Sequence, residues 1–85
     1  MIVQTENSTY IVEWMAPPAG TTQRWGVYRY PKAPASQVRN YARNLSEAPF
    51  EGDTLTLGIG SRMILSRTGK PTPIIDSSIV EKIER

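Results

Sequence analysis

Short runs of β-branched and aromatic residues, separated by turn-forming residues, dominate the pattern of the chain. Residues 2–3 and 10–14 are the first two runs, and the polar segment between them predicts a hairpin. Residues 24–30 predict a further aromatic-rich strand, ended by Pro31 and Pro34. The amino-terminal part of the chain therefore reads as antiparallel sheet.

The carboxyl half has a similar pattern. Leu55, Leu57 and Ile59 alternate with threonine and glycine, which is the period of a half-buried strand. Turns are expected at Gly60-Ser61 and at 68–71, and the apolar runs that follow these turns predict more short strands: 63–65, 74–75 and 79–83.

One helix is predicted, over about 36–45. Ser36 is placed to cap it, and Pro34 excludes an earlier start. Its apolar face has helical spacing and consists of Val38, Tyr41, Ala42 and Leu45. We expect an α+β, mainly β fold over a single domain, 1–85: a small curled antiparallel sheet or barrel of five to six short strands with one helix.

Composition removes several classes of function. The 85 residues include no cysteine and no histidine, so disulfides, the usual zinc sites and histidine-based catalytic triads are impossible, and we expect no metal and no cofactor. No apolar run approaches the roughly 18–20 residues that a membrane span needs. The amino terminus does not read as a secretion signal, so a cytoplasmic location is expected.

Charge is unevenly placed along the chain. Between Glu13 and Glu47 there are five basic residues and no acidic one, whereas the remainder has five basic and eight acidic residues. Aromatic residues share the basic interval, and small barrels that bind single strands combine such cations with exposed rings. The candidate binding residues are Arg24, Trp25, Tyr28, Arg29, Tyr30, Lys32, Arg39 and Arg43.

The basic interval also has a purely structural interpretation. Its aromatic residues would build the core, and its cations would be solvated and paired with the acidic carboxyl half. In a strand, Trp25 and Arg29 share one face while Tyr28 and Tyr30 share the other. We expect only one of these faces to be buried.

Candidate catalytic residues are few. Glu51 and Asp53 are a pair of carboxylates, and Ser77 or Ser78 with Lys70 is a formal serine–lysine pair. A solvated turn explains the first pair, and strand-edge positions explain the serines. We therefore predict that the protein is not an enzyme.

Two further features favour binding. Trp14, Phe50 and the loop containing Pro17-Pro18 are candidates for an exposed apolar contact surface, although Trp14 fits the core equally well. Ile74-Ile75 beside the last strand is a candidate for an open sheet edge that a partner would extend.

Two segments carry a resemblance to a known group of proteins. The opening residues 2–12, with Thr5-Glu6-Asn7-Ser8-Thr9-Tyr10, and the later segment 75–80 resemble small uncharacterised proteins encoded by actinobacterial phages. The resemblance implies a phage accessory role and a location in the host cytoplasm. It supplies no activity and no site residue.

The sequence thus predicts a small non-catalytic interaction module that binds a protein partner, self-associates or assembles in a larger particle. The alternative is a small barrel that binds nucleic acid through the basic aromatic surface.

Overall fold

The computed structural model describes residues 1–15, 24–42 and 48–85, with the side chains of 40–42 excepted. Within these residues the chain forms seven strands and one helix: β1 Ile2–Thr5, β2 Ser8–Met15, β3 Arg24–Pro31, α1 Ala35–Ala42, β4 Phe50–Gly52, β5 Thr54–Thr56, β6 Arg62–Ser66 and β7 Ile75–Glu84. The strands form one antiparallel sheet in the order β4-β3-β2-β1-β7-β6-β5, which curls until it is nearly closed into a barrel.

The mainly β fold and the amino-terminal hairpin are confirmed, but the prediction of five to six strands is too low. Phe50–Gly52 forms β4, where the sequence suggested a turn around Gly52. Ile75 and the segment 79–83, expected in two separate strands, lie in the single strand β7, whereas Ile74 precedes it. Its register shifts against β1 and β6, so bulges bend it without ending it.

The helix α1 begins one residue earlier than predicted. The carbonyl of Pro34 accepts hydrogen bonds from the N–H groups of Gln37 and Val38, at 3.0 and 3.2 Å. Ser36 therefore lies inside the first turn and does not cap the helix, so that prediction is wrong. Val38 is fully buried as expected. The rest of the predicted apolar stripe, Tyr41, Ala42 and Leu45, lies outside the described side chains.

Both faces of β3 contribute buried residues, which corrects the expectation that only one face would be buried. Inside the barrel, Val27 packs with residues of four other strands: Val3, Tyr10, Val12, Met63, Leu65, Ile75 and Val80. On the outer face, α1 covers a second cluster made of Ile2, Ile11, Tyr30, Ala35 and Val38. Alternate residues of β1, β2 and β3 thus serve two cores, because the helix covers the outer face of these strands.

The near-closure of the barrel depends on a sharp corner at Gly52. β4 pairs with β3, β5 pairs with β6, and only Asp53 separates them. The N–H of Asp53 donates to the carbonyl of Ser66 at 3.0 Å. A Cβ on Gly52 would lie 2.7 Å from that same carbonyl oxygen and 2.8 Å from the side chain of Leu65. Only glycine allows the chain to cross so close to β6.

The two segments that carry the phage-protein resemblance meet in space. Ser78 Oγ donates to Thr5 Oγ1 at 2.9 Å, and the N–H of Asn7 donates to Ser78 Oγ at 3.1 Å. Thr5 Oγ1 also closes the β1–β2 turn through the N–H and carbonyl of Ser8. These hydroxyls replace ladder hydrogen bonds where β7 bulges, so the polar residues of both segments have a structural role.

Candidate functional site

The predicted binding residues do not share one face. Trp25 and Arg29 belong to the inner face of β3, opposite Trp14 and Tyr10 of β2. Arg24, Tyr28 and Tyr30 belong to the outer face, where Tyr30 is buried beneath α1 and Tyr28 packs against the same cluster. Lys32, which precedes α1, and Arg39, which belongs to α1, are exposed, and Arg43 lies outside the described residues.

Three of the predicted cations pair with the acidic carboxyl half. Arg24 Nη1 is 3.4 Å from Glu51 Oε2, and Arg39 Nη2 is 4.0 Å from Glu84 Oε2. Lys32 forms an ion pair with Glu81. These pairs lie at the surface, so solvent screens them and they add little stability, but they neutralise the cations at these positions.

Trp14 and Trp25 are directly opposite each other on β2 and β3, and their rings are in contact. Their ring centroids are 4.4 Å apart and the rings meet edge to face at 71°. Trp14 is nevertheless 49% exposed, while Trp25 is partly buried against the barrel core. The sequence left open whether Trp14 belongs to an exposed contact surface or to the core. The structure supports the exposed position, with the ring packed against the partly buried Trp25.

The candidate catalytic groups have structural partners. Glu51 pairs with Arg24, and Asp53 accepts hydrogen bonds from the N–H of Thr68 at 3.0 Å. Ser77 Oγ donates to the carbonyl of Ser78 at 2.7 Å and accepts from the N–H of Met63 at 2.9 Å. None of these groups is arranged as a nucleophile with an adjacent base.

A cavity of about 640 Å³ lies between α1 and the adjoining ends of β1 and β7. Its cations Lys32, Arg39 and Lys82 all pair with carboxylates, Lys82 Nζ being 2.8 Å from Glu84 Oε1. Lys82 and Arg39 hold the pKa of Glu84 below its usual value, with the hydrogen bond from Lys82 as the main cause. Each of these three cations thus has an ion-pair partner, although together they share only two carboxylates, Glu81 and Glu84.

A second surface lies between β4 and the loop that joins β6 to β7. Two cavities of about 550 and 280 Å³ adjoin there, and both are lined by Phe50 and Ile74. We call this surface the seam groove; it is lined by Asn7, Ser8, Tyr10, Arg29, Pro49, Phe50, Glu51, Arg67, Lys70, Pro71, Thr72, Ile74, Ile75, Asp76, Ser77 and Ser78. Phe50 is 49% exposed in it.

The seam groove contains cations that form no ion pair with any carboxylate that the structure describes. Of the nine lysine and arginine residues that the structure describes, five form ion pairs with described carboxylates. Three of the other four, Arg29, Arg67 and Lys70, line the seam groove. Its carboxylates are already neutralised from outside, Glu51 by Arg24 and Asp76 by Arg62 at 3.2 Å.

The turn that presents two of these cations is held in place by hydrogen bonds. Arg67 Nε donates to the carbonyl of Glu51 at 3.1 Å, which ties the turn to β4. The N–H of Lys70 donates to the carbonyl of Arg67, and Gly69 has the positive φ of 83° that such a turn favours. The hydrogen bond from the N–H of Thr68 also holds the pKa of Asp53 below its usual value of 3.8.

Sequence reasoning found only part of this surface. Phe50 and Arg29 were singled out, the first for an apolar contact and the second for a basic surface, and the turn at 68–71 is confirmed. Arg67 was missed, and Lys70 was considered only for catalysis. The sequence does show two cations at a predicted turn, Arg67 just before it and Lys70 within it. It does not show that this turn lies next to β4.

Comparison with known proteins supplies no further guidance, because the chain matches no family model, no curated protein and no solved structure. Within the described residues, no helix is long and apolar enough to cross a membrane. The same part of the chain contains no group of three or more acidic side chains placed to hold a metal ion.

Proposed function

We propose that the protein is a non-catalytic module that binds a protein partner through the seam groove. The observation that carries the proposal is the half-exposed ring of Phe50 in a groove with three cations that have no described ion-pair partner. Exposed rings and arginines are the side chains that contribute most to protein interfaces. The resemblance of segments 2–12 and 75–80 to phage proteins supports a phage accessory role in the host cytoplasm.

The proposal favours a protein partner over a nucleic acid because of the aromatic residues. A groove for single-stranded nucleic acid needs successive rings on which bases stack. Tyr30 is buried beneath α1, and Trp25 lies against Trp14, so neither joins Phe50 in the seam groove. Tyr10 also lines the seam groove, but it is buried and offers no exposed face for stacking. The apolar neighbours of Phe50 are Pro49, Pro71 and Ile74, which suit an aliphatic or aromatic side chain of a protein.

Affinity capture from the source cells with matched variants tests this function. We expect the wild-type chain to retain a partner in stoichiometric amount, Phe50→Ser to lose it and Ile59→Ser to keep it. Ile59 is the matched control because it is also apolar, 67% exposed and outside the seam groove. A monomer on size-exclusion chromatography with no stoichiometric partner would count against the proposal, as would a partner that Phe50→Ser retains.

A further inference from the structure

We infer that the occupant of the seam groove is an acidic, extended peptide segment whose apolar side chain packs against Phe50. This inference rests on the proposed function and specifies the partner for the same site.

Charge complementarity is the first argument for an acidic occupant. Arg29, Arg67 and Lys70 are exposed and form no ion pair with a described carboxylate, whereas Glu51 and Asp76 are each paired with an arginine outside the seam groove. Among the described residues, a carboxylate entering the groove therefore meets three cations without an ion pair and two carboxylates that are already paired. Such an arrangement attracts an acidic partner and disfavours a basic one.

The shape and chemistry of the seam groove favour an extended segment. The larger cavity has the apolar wall of Phe50, Ile74 and Pro71 and contains Arg67 and Lys70. The smaller cavity continues past Phe50 to Arg29 and the hydroxyls of Ser8 and Ser78. One apolar side chain seated at Phe50 would thus have cations on both sides, which fits acidic residues before and after it in the peptide.

The cations of the turn are preorganised. The bond from Arg67 Nε to the carbonyl of Glu51 and the bonds from the N–H of Thr68 to Asp53 fix the turn against the corner of β4 and β5. A surface that is ordered before binding loses less conformational entropy when the ligand arrives. The guanidinium of Arg67 has further N–H donors beyond Nε that remain available to a carboxylate.

Selection from a display library of random short peptides tests the inference on the full chain. We expect the enriched peptides to carry acidic residues on both sides of an apolar residue. Their affinity should fall about tenfold or more with Lys70→Glu or Arg67→Glu, and also on raising the salt concentration from about 0.05 to 0.5 M, because exposed charges are screened. Phe50→Ser should abolish binding.

Matched controls separate recognition from net charge and from misfolding. Arg85→Glu makes the same change of charge at a cation that also has no ion pair with a described carboxylate but lies outside the seam groove. It should leave the affinity within about twofold. Ile59→Ser is the control for Phe50→Ser. Far-UV circular dichroism of each variant confirms that the chain is folded.

Three outcomes would overturn the inference. The first is a peptide selection that does not depend on charge: the enriched peptides lack acidic residues, or the Lys70→Glu variant binds acidic peptides as tightly as the wild type does. This outcome would contradict the inference but would leave a protein-binding function intact. No enrichment, while a cellular partner is still lost by Phe50→Ser, would overturn this inference alone. The third is that no peptide is enriched, while the wild-type chain binds an oligothymidylate and Lys70→Glu, Arg67→Glu and Phe50→Ser do not. This outcome would overturn both this inference and the proposed function.

Discussion

Gly52 is the residue on which the barrel corner depends. Substitution Gly52→Ala places a methyl group 2.7 Å from the backbone oxygen of Ser66, which cannot rotate away. We expect a loss of about 1–3 kcal/mol in the free energy of unfolding, measured by urea denaturation. Gly58→Ala is the matched control, since its methyl group would meet no atom within 4 Å, and it should be neutral or slightly stabilising. Equal effects of the two substitutions would contradict the proposed crossing.

Asp53 makes the corner sensitive to pH. Its pKa is lowered below 3.8, chiefly by the hydrogen bond from the N–H of Thr68, so the ionised carboxylate stabilises the folded chain. This contribution is fully present above pH 3.8 and is lost as the pH falls through the lower pKa of the folded state. Wild-type protein should therefore have a higher Tm than Asp53→Asn at neutral pH.

The same comparison at acid pH completes the prediction for Asp53. The difference in Tm between wild type and Asp53→Asn should narrow between about pH 4 and pH 2. The pKa of Glu84 is also lowered, but Glu84 is present in both proteins, so its effect cancels in the difference. A difference in Tm that is independent of pH would show that the Asp53 charge does not stabilise the turn.

Among the elements, those with strong local signals were predictable. The hairpin of β1 and β2 and the strand β3 follow from runs of β-branched and aromatic residues, and α1 follows from helical spacing after Pro34. β4 was not predictable, because Phe50–Gly52 is short, contains a glycine and a glutamate, and gains its strand conformation by pairing with β3. β7 continues through Ser77 and Ser78 because their hydroxyls bond to neighbouring backbone and side-chain groups.

The candidate site shows the same limit at the level of elements. Sequence pattern identifies Phe50 and Arg29 as chemically capable residues, but it cannot state that β4 and the turn at 68–71 lie side by side. That arrangement depends on the crossing at Gly52 and on the bond from Arg67 to the carbonyl of Glu51. For a related reason, the sequence offers pairing of the basic interval with the acidic carboxyl half as one interpretation but does not say which groups pair. The carboxylates that pair with Arg24, Lys32 and Arg39 are distant in sequence.

Across the whole molecule, the sheet couples two cores. Val3, Val12 and Val27 point into the barrel, while their neighbours Ile2 and Ile11 point toward α1. A change under the helix therefore acts on strands that also line the barrel. Small domains that share elements in this way unfold in a single cooperative step.

Val38→Ala tests this coupling. Val38 is fully buried beneath α1, and removal of two buried carbons should cost about 2 kcal/mol in the free energy of unfolding. Ser36→Ala on the same helix should change the free energy of unfolding by less than about 0.5 kcal/mol, because Ser36 is exposed and does not cap α1.

Two spectroscopic signals follow the unfolding of different parts of the molecule. Tryptophan fluorescence reports the barrel end through Trp14 and Trp25, and far-UV circular dichroism reports the backbone. In the Val38→Ala variant both signals should shift to the same lower midpoint. Separate midpoints would mean that the helix and its cluster unfold independently of the barrel.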